Sequence, residues 1–405
     1  MEKILIVFED VKYKNLLPLV YLRPVFDLRS GVFSLADKIK LSFPGYSLFY
    51  NVRDYLMDSF DNYRDSDREA EIILINGRLL ISKSVSEIIE ALNIGEGLST
   101  GDTLVAAKID SNTFEKIKED QEGLYDFSSL ELISNTITCT LIEYPWDLIN
   151  NNITEIGNDF SKLNRDTECP TIPEGVYLIN KEKIFIGENC RISPTVVIDA
   201  TDGPVVIGSN VTIMPHVAIQ GPAYIGAFST VKMHSAFYHG TNVGIWCKVG
   251  GEIENSILQS YSNKQHDGFL GHSYLGSWVN IGASSNGSDL KNNYTNVSVN
   301  INNSPVDTKS TFFGAVIGDH SKTAINTMLN TGTNIGVSCN VFGADFPPKY
   351  IPSFSWANSG MVVEYKLGKA IEVAKIVMSR RNVEFTKSDQ IKFEKIFELT
   401  KNERN

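Results

Sequence analysis

Apolar residues in the first part of the chain follow two different spacings. Three nearly continuous apolar runs predict buried strands: ILIVFE at 4–9, AEIILING at 70–77 and DTLVAAKI at 102–109. The segment SVSEIIEALN at 84–93 instead places apolar residues three or four positions apart, which is typical of an amphipathic helix. Strands and helices in alternation favour an α/β layer with a mostly parallel sheet. We therefore predict an α/β domain over residues 1–165.

From about residue 176 the apolar spacing becomes six. Each six-residue repeat begins with an aliphatic residue, which is mostly followed by glycine. The repeats are IGENCR, ISPTVV, IGSNVT, IMPHVA, IQGPAY, IGAFST and later VGIWCK, LGSWVN, IGDHSK and IGVSCN. This repeat is typical of a parallel β-helix, in which three sixes make one triangular coil. A β-sandwich would instead show alternation with period two and turn signals every 8–12 residues. The sixfold register favours the β-helix.

The flanking segments give the remaining boundaries. Residues 151–166 are polar and predicted helical, and a linker with two prolines follows at 166–178. The β-helix is assigned to 179–365. Apolar residues at helical spacing in 366–405 predict one or two helices that pack on the β-helix.

The repeat is interrupted twice, around 250–272 and across 285–312. Breaks in a repeat map to loops on one face, often the binding face. His272 ends the first break, between Gly271 and Gly276 in DGFLGHSYLGSWVNIGA. It is either a structural histidine or a base that faces a substrate, and imidazole suits proton transfer near neutral pH.

Composition excludes several classes of function. The chain has 37 basic and 48 acidic residues, a net charge of −11 and no basic block, so a nucleic-acid partner is not expected. No window approaches the roughly 20 apolar residues of a membrane span. Five cysteines without CxxC spacing predict reduced thiols in a cytoplasmic protein. A zinc site remains an alternative for His216, His234, His239 and His266, although only the first two are one 18-residue coil apart.

The segment GHSYLGSWVNIGA is similar to the acetyltransferase signature of the bifunctional N-acetylglucosamine-1-phosphate uridyltransferase/glucosamine-1-phosphate acetyltransferase family. The chain looks like a variant branch found in bacteria such as the Bacteroidetes group. The other segments that carry this resemblance are LRPVFDLRSGV, INGRLL, VGGEIENSI, SDLKNNY and GDHSKTAINTMLNTGT. The resemblance implies a left-handed β-helix that forms a homotrimer. It also implies acetyl-CoA in a groove between neighbouring coils, and active sites shared between chains.

The resemblance assigns roles to individual residues of the β-helix. His272 matches the catalytic base that takes a proton from the sugar amine. The matches for substrate binding are Lys232, Tyr274, Asn280, Asn293 and Tyr294, and those for acetyl-CoA binding are Ala283, Ser284 and Lys309. Two departures from the family pattern stand out. Glu254 takes the place of a phosphate-binding lysine, which Lys248 or Lys264 could replace, and Ser284 takes the place of the last glycine in a Gly-Ala-Gly turn.

The first domain resembles a sugar nucleotidyltransferase in a reduced form. Arg23, Arg29, Gly31 and Lys38 resemble the remains of a glycine-arginine-lysine nucleotide-binding fingerprint, without its leading double glycine. Asn76-Gly77-Arg78 stands where a Gly-Asp pair would hold Mg²⁺, and Asp10 and Asp147 are further carboxylates. Mg²⁺ is expected if this domain is active, and no metal ligand is assigned.

These observations predict a transferase of sugar-nucleotide biosynthesis. The β-helix is predicted to N-acetylate an amino-sugar 1-phosphate, glucosamine-1-phosphate-like, from acetyl-CoA, and the first domain to transfer a nucleotidyl group to the sugar 1-phosphate. One alternative is a nucleotidyltransferase whose β-helix is only a trimerisation and regulatory scaffold. A second alternative is a non-catalytic or metal-binding relative.

Overall fold

The computed structural model describes residues 2–63, 69–163 and 171–404. Cys169 and residues 166–170 of the predicted linker lie outside the described residues. The chain forms two compact units. The first unit comprises Met1–Leu16, Leu22–Leu28 and Phe33–Tyr144, and the second comprises Leu17–Tyr21, Arg29–Val32 and Pro145–Asn405.

The first unit is built on a mixed sheet. Among the described residues its strand order is Ser47–Asn51, Glu2–Phe8, Ala70–Asn76, Thr103–Asp110, Glu96–Thr100 and Ile133–Thr136. The three strands predicted from apolar runs are confirmed, and so is the helix at 84–93, which the structure places at Lys83–Glu90. Strand Thr103–Asp110 runs antiparallel to both neighbours, so the sheet is parallel only in part.

Short elements complete the first unit. Its other α-helices are Leu35–Ser42 and Ser111–Phe114. Leu79–Leu80 pairs with Thr140–Leu141, and Lys118–Glu119 pairs with Tyr125–Asp126. The 3-10 turns are Val11–Leu16, Val25–Asp27, Asp54–Ser59 and Phe127–Ser129.

The second unit is a parallel β-helix with three walls. Wall I contains Tyr177–Ile179, Val197–Asp199, Ala218–Gln220, Ala236–Phe237, Glu252–Glu254, Phe269–Gly271, Asn286–Gly287 and Met328–Leu329. Wall II contains Ile184–Ile186, Val205–Ile207, Ala223–Ile225, Asn242–Val243, Ile257–Leu258, Tyr274–Leu275, Ala315–Ile317, Thr333–Ile335 and Tyr350–Ile351. Wall III contains Arg191–Ile192, Thr212–Ile213, Thr230–Val231, Lys248–Val249, Asn263–Lys264, Lys322–Thr323, Asn340–Val341, Ser355–Asn358 and Met361–Glu364. Asn280 bridges Asn263 to Lys322 and so joins the two parts of wall III.

The sixfold pattern places one aliphatic side chain of each strand inside the prism. Ile207 pairs with Ile225 and Ile213 with Val231, one 18-residue coil on, and all four are buried. The corners use backbone with positive φ, as at His216, Trp278 and His272. Strand pairing between coils and this apolar interior explain why a chain of such short strands is stable.

Helices and one hairpin are added to the β-helix. Helix Pro145–Phe160 precedes it, with a 3-10 turn at Lys181–Lys183. The hairpin Ser298–Ile301 and Ser304–Asp307 lies in the second break of the repeat. The tail forms helices Leu367–Ser379 and Lys387–Leu399, as predicted, and a 3-10 turn at Lys401–Glu403. None of the helices in the described parts of the chain is long and apolar enough to cross a membrane.

The predicted fold class is confirmed. The chain has an α/β N-terminal part, a parallel β-helix of hexapeptide repeats, and C-terminal helices, whereas the left-handed sense of the β-helix stays a prediction.

Candidate active site

His272 lies at the corner where wall I passes into wall II. Its backbone has a φ of +42° and is held by two neighbouring coils. The His272 N–H donates to the carbonyl of Glu254 (3.1 Å), and its carbonyl accepts from the Gly314 N–H (2.9 Å). This corner therefore fixes the position of the imidazole before any ligand arrives.

Asp289 holds the imidazole ring. Its Oδ2 lies 2.7 Å from His272 Nδ1, and the two side chains are 17% and 12% exposed for His272 and Asp289. A carboxylate at this distance favours the proton on Nδ1, which leaves Nε2 as the acceptor. Nε2 has no hydrogen-bond partner among the described residues. The pair thus has the geometry of an oriented general base.

Sequence reasoning missed Asp289. The carboxylate lies 17 positions after His272, on the next coil at the same corner. One coil is about the length of three sixes, so the spacing itself was the signal. The irregular repeat between residues 250 and 312 hid that signal, because it obscures which positions stack.

Gly271 and Phe312 complete the surroundings of the imidazole. A Cβ at Gly271 would lie 2.1 Å from Asp289 Oδ2, so only glycine leaves room for the carboxylate. Phe312 lies against the ring of His272 with a centroid separation of 5.1 Å, and its own side chain is 43% exposed. Glycine on one side and an aromatic ring on the other shape this site.

Some of the predicted ligand-binding residues lie at or after the His272 corner. Tyr274 is fully buried, and its hydroxyl accepts from the Arg29 N–H (3.0 Å) and donates to the Arg29 carbonyl (3.2 Å). Asn293, Tyr294 and Lys309 belong to the exposed segment that follows Asp289. The structure thus gives Tyr274 a structural contact and leaves the other three open to solvent.

The remaining predicted residues lie on or after wall III. Lys232 directly follows strand Thr230–Val231, and Asn280 is the residue that bridges the two parts of the wall. Ala283 and Ser284 turn the chain from wall III towards wall I, with the Ser284 hydroxyl 3.0 Å from Asp267 Oδ2. In a triangular coil, wall III lies opposite the corner of walls I and II. One chain therefore does not bring Lys232 or Asn280 together with His272.

Lys248 and Lys264, which were considered as replacements for the lysine missing at Glu254, differ in how accessible they are to a ligand. Lys264 occupies an interior position of wall III and is only 2% exposed. Its ammonium donates to the carbonyls of Gly250 (2.9 Å) and His266 (3.1 Å), and burial lowers its pKa to about 8. Lys248 lines a surface cavity instead. Glu254 itself approaches His239, with 3.9 Å between Oε1 and Nε2.

The loop Arg29–Val32 belongs to the second unit, where its backbone is engaged. The Gly31 N–H donates to Asn152 Oδ1 (3.0 Å) and the Val32 N–H to Asp159 Oδ2 (2.9 Å). Gly31 has a φ of +85°, a conformation that favours glycine. Backbone N–H groups that would bind a nucleotide phosphate are here bonded to side chains.

The other predicted nucleotide ligands belong to the first unit. Lys38 is fully buried in helix Leu35–Ser42, and Arg23 pairs with Asp27 at 3.3 Å. Asp10 follows the strand Glu2–Phe8, and its Oδ2 lies 2.7 Å from the buried guanidinium of Arg78. That guanidinium also contacts Glu143. A cation of the protein already neutralises these carboxylates.

Metal and thiol chemistry find little support in the described residues. Within them, no three His, Cys, Asp or Glu side chains are grouped to hold a metal ion. His216 and His234 stack on successive coils, 4.9 Å between ring centroids. Cys139, Cys190, Cys247 and Cys339 are free thiols, and burial raises the pKa of the last two to about 12.

Comparison with known proteins identifies one matching family and several relatives. Residues 5–168 match a family described as sugar nucleotidyl transferase. A bifunctional protein GlmU from Prochlorococcus marinus (strain MIT 9211) is 29% identical over 182 residues, which cover 43% of this chain and 34% of that protein. The GlmU from Synechococcus elongatus is 26% identical over 223 residues, 50% of this chain and 45% of that one. The chain thus matches a third to a half of the length of these relatives.

Two solved structures show partial likeness. The UDP-N-acetylglucosamine acyltransferase from Francisella novicida has a TM-score of 0.29 and 14% identity, covering 56% of this chain and 88% of that one. The enzyme LpxA from Bacteroides fragilis 9343 has a TM-score of 0.23 and 17% identity, covering 58% of this chain and 84% of that one.

Proposed function

Since the chain is similar to bifunctional GlmU proteins, as its sequence predicted, we propose that it is a transferase of sugar-nucleotide biosynthesis. The β-helix transfers an acetyl group from acetyl-CoA to the amine of an amino-sugar 1-phosphate. The single observation that carries this proposal is the His272–Asp289 pair, with Nδ1 and Oδ2 2.7 Å apart. The identification of the variant branch stays a prediction.

The pair supplies the proton transfer that acetylation needs. An amino-sugar amine is largely protonated at neutral pH and must lose protons to attack a thioester. His272 Nε2 accepts the amine proton as the C–N bond forms, while Asp289 stabilises the imidazolium from the other side of the ring. The C–S bond then breaks, and the imidazolium returns the proton to the departing thiolate.

The proposed active site is shared between copies of the chain, and the positions of the predicted residues support this. His272 is at the corner of walls I and II, whereas Lys232 and Asn280 are on the opposite wall. If all three act on one substrate, they come from different copies of the chain. This arrangement supports the proposed homotrimer, and light scattering of the purified protein measures its mass directly.

Nucleotidyl transfer is the proposed activity of the first domain, supported by the match over residues 5–168. Asp10, one of the carboxylates considered for Mg²⁺, does not fit a resident metal ion, because Arg78 neutralises it. If acetyl transfer is absent, the alternative is a nucleotidyltransferase with a β-helical scaffold. Pyrophosphate release from a nucleoside triphosphate and a sugar 1-phosphate measures the first activity separately.

The acetylation proposal is tested with His272→Ala. Purified protein is incubated with acetyl-CoA and a panel of amino-sugar 1-phosphates, and thiol release is followed. A positioned base contributes about 10²–10⁴-fold, so we expect kcat to fall by that factor with KM little changed. His266→Ala, at an exposed histidine, is the matched control.

Two results would contradict the assignment. A folded His272→Ala protein with wild-type turnover would exclude His272 as the base. A variant that loses activity only in proportion to lost thermal stability would make the histidine structural. Wild-type protein that releases thiol with no member of the panel would remove the acetyl-transfer proposal itself.

A further inference from the structure

Glu254 places a second carboxylate beside the His272 corner. It ends strand Glu252–Glu254 of wall I, and its Cα is paired with that of Gly271, the residue before His272. Side chains alternate across a strand, and Ile253 is fully buried in the prism, so Glu254 projects from the outer face of the wall. Its side chain is 32% exposed. The carboxylate can therefore meet a ligand that contacts this face.

Glu254 and His272 belong to adjacent coils. The His272 N–H donates to the Glu254 carbonyl (3.1 Å), and neighbouring strands of a sheet lie about 4.8 Å apart. A Cβ on Gly271 would collide with Asp289 Oδ2, so the Asp289 carboxylate fills the space where a side chain of Gly271 would project. The outer face beside His272 thus carries two carboxylates, from Glu254 and Asp289.

The two carboxylates differ in how firmly the protein engages them. Asp289 is largely buried and lies 2.7 Å from His272 Nδ1. Glu254 Oε1 lies 3.9 Å from Nε2 of His239, whose side chain is 45% exposed. An exposed pair at that separation is weak. Asp289 is therefore committed to the imidazole, whereas Glu254 can accept hydrogen bonds from a ligand.

A carboxylate at this position selects the groups that can lie beside it. It accepts hydrogen bonds from hydroxyl and ammonium groups, and such charge-assisted bonds are stronger than bonds between neutral groups. A phosphate at the same place would be repelled by Glu254 and Asp289, and such repulsion is an effective source of specificity. An amino sugar carries both hydroxyl and amine donors, so it fits this face of wall I through those groups.

We propose that Glu254 is a specificity-determining residue for the acceptor. Its carboxylate accepts a hydrogen bond from a hydroxyl or ammonium group of the amino sugar and excludes phosphate from the space beside His272. The phosphate of the acceptor then lies away from wall I. The lysine expected at this position from the family resemblance would impose the opposite arrangement. The inference rests on the proposed acetyl transfer and states which groups of the acceptor face the catalytic corner.

The direction in which acceptor affinity changes when Glu254 loses its charge tests the proposal. Isothermal titration of the full chain with glucosamine-1-phosphate or glucosamine, without acetyl-CoA, measures Kd, and thiol release measures KM and kcat. We expect Glu254→Gln and Glu254→Lys to raise Kd and KM about 10- to 100-fold for both sugars, because a charge-assisted hydrogen bond is weakened or lost. The value of kcat should change less, since His272 is still present. Glu252→Gln, at an exposed carboxylate on the same face of the same strand, is the matched control and should bind as the wild type does.

Three results would overturn the proposal. Tighter binding of glucosamine-1-phosphate in either Glu254 variant would place the phosphate beside this residue. An unchanged Kd in both variants, or an equal change in Glu252→Gln, would remove Glu254 from the acceptor site. Failure of both sugars to bind the wild-type chain would also exclude it. Failure of the proposed acetyl transfer looks different: the wild-type chain would bind the sugars and lose affinity in Glu254→Gln, but it would release no thiol.

Discussion

Replacing Asp289 by asparagine isolates the role of the carboxylate from the shape of its side chain. The amide side chain would fill the same space beside Gly271, but it would not provide a negative charge 2.7 Å from His272 Nδ1. Both native side chains are largely buried, so solvent does little to screen the contact. A hydrogen bond to a charged group contributes about 1.5–3 kcal/mol, and about 1.4 kcal/mol corresponds to tenfold in rate. We therefore expect kcat to fall roughly 10- to 150-fold in Asp289→Asn.

The assay is steady-state thiol release from acetyl-CoA with the best amino-sugar substrate of the panel. KM should change little, because Asp289 contacts the base rather than the substrate. In His272→Ala the carboxylate has no imidazole to orient, so adding Asp289→Asn should cause little further loss. Asp345→Asn, at an exposed carboxylate, serves as control. Wild-type kcat in Asp289→Asn, or fully additive losses in the double variant, would refute the reasoning.

Two further substitutions test other parts of the structure. Gly271→Ala should lower kcat about as much as Asp289→Asn, because the added Cβ would lie 2.1 Å from Asp289 Oδ2 and displace the carboxylate. Equal kcat in the variant and the wild type would contradict this close approach of Gly271 to Asp289. Lys322 has a folded pKa of about 8, below its ordinary 10.5, so the folded state releases this proton first as pH rises. Lys322 lines the same surface cavity as Lys248, Arg380 and Arg381. Burial disfavours its charge and lowers its pKa, whereas the interaction with Cys339 acts in the opposite direction. The free energy of unfolding should therefore rise from pH 8 to about 10.5. Chemical denaturation of Lys322→Met should lack that rise. Equal pH profiles for the variant and the wild type would mean that the ammonium of Lys322 is hydrated.

The sequence predicted most of the fold because one physical requirement repeats along the chain. One isoleucine in every six residues is buried inside the prism, as at Ile207, Ile213, Ile219 and Ile225. This spacing predicts the coil directly. Lys264 breaks this rule by placing an ammonium at an interior position, where two backbone carbonyls satisfy it. Composition alone does not indicate that such carbonyls point inward.

The candidate site was predictable only in part. His272 was found because it stands at a break in the repeat. Asp289 depends on which coil stacks on which, and the irregular repeat concealed that. The loop at Gly31 looked like a phosphate-binding loop, but Asn152 and Asp159, more than 100 positions later, accept its N–H groups. Local pattern identifies residue types suited to chemistry, whereas long-range contacts decide which of them remain available.

The segment inserted after Asp289 has an evolutionary consequence. Coils on either side of it pair directly, with Leu275 opposite Ile317 and Gly287 opposite Leu329, so the ladder continues as if the insertion were absent. Lengthening such a loop costs little, about 0.6 kcal/mol for each doubling. The segment that carries Phe312 and Tyr294 can therefore change during evolution while the β-helix keeps its fold. The imidazole of His272 and the carboxylate of Asp289 would stay in place while the segment beside them changes.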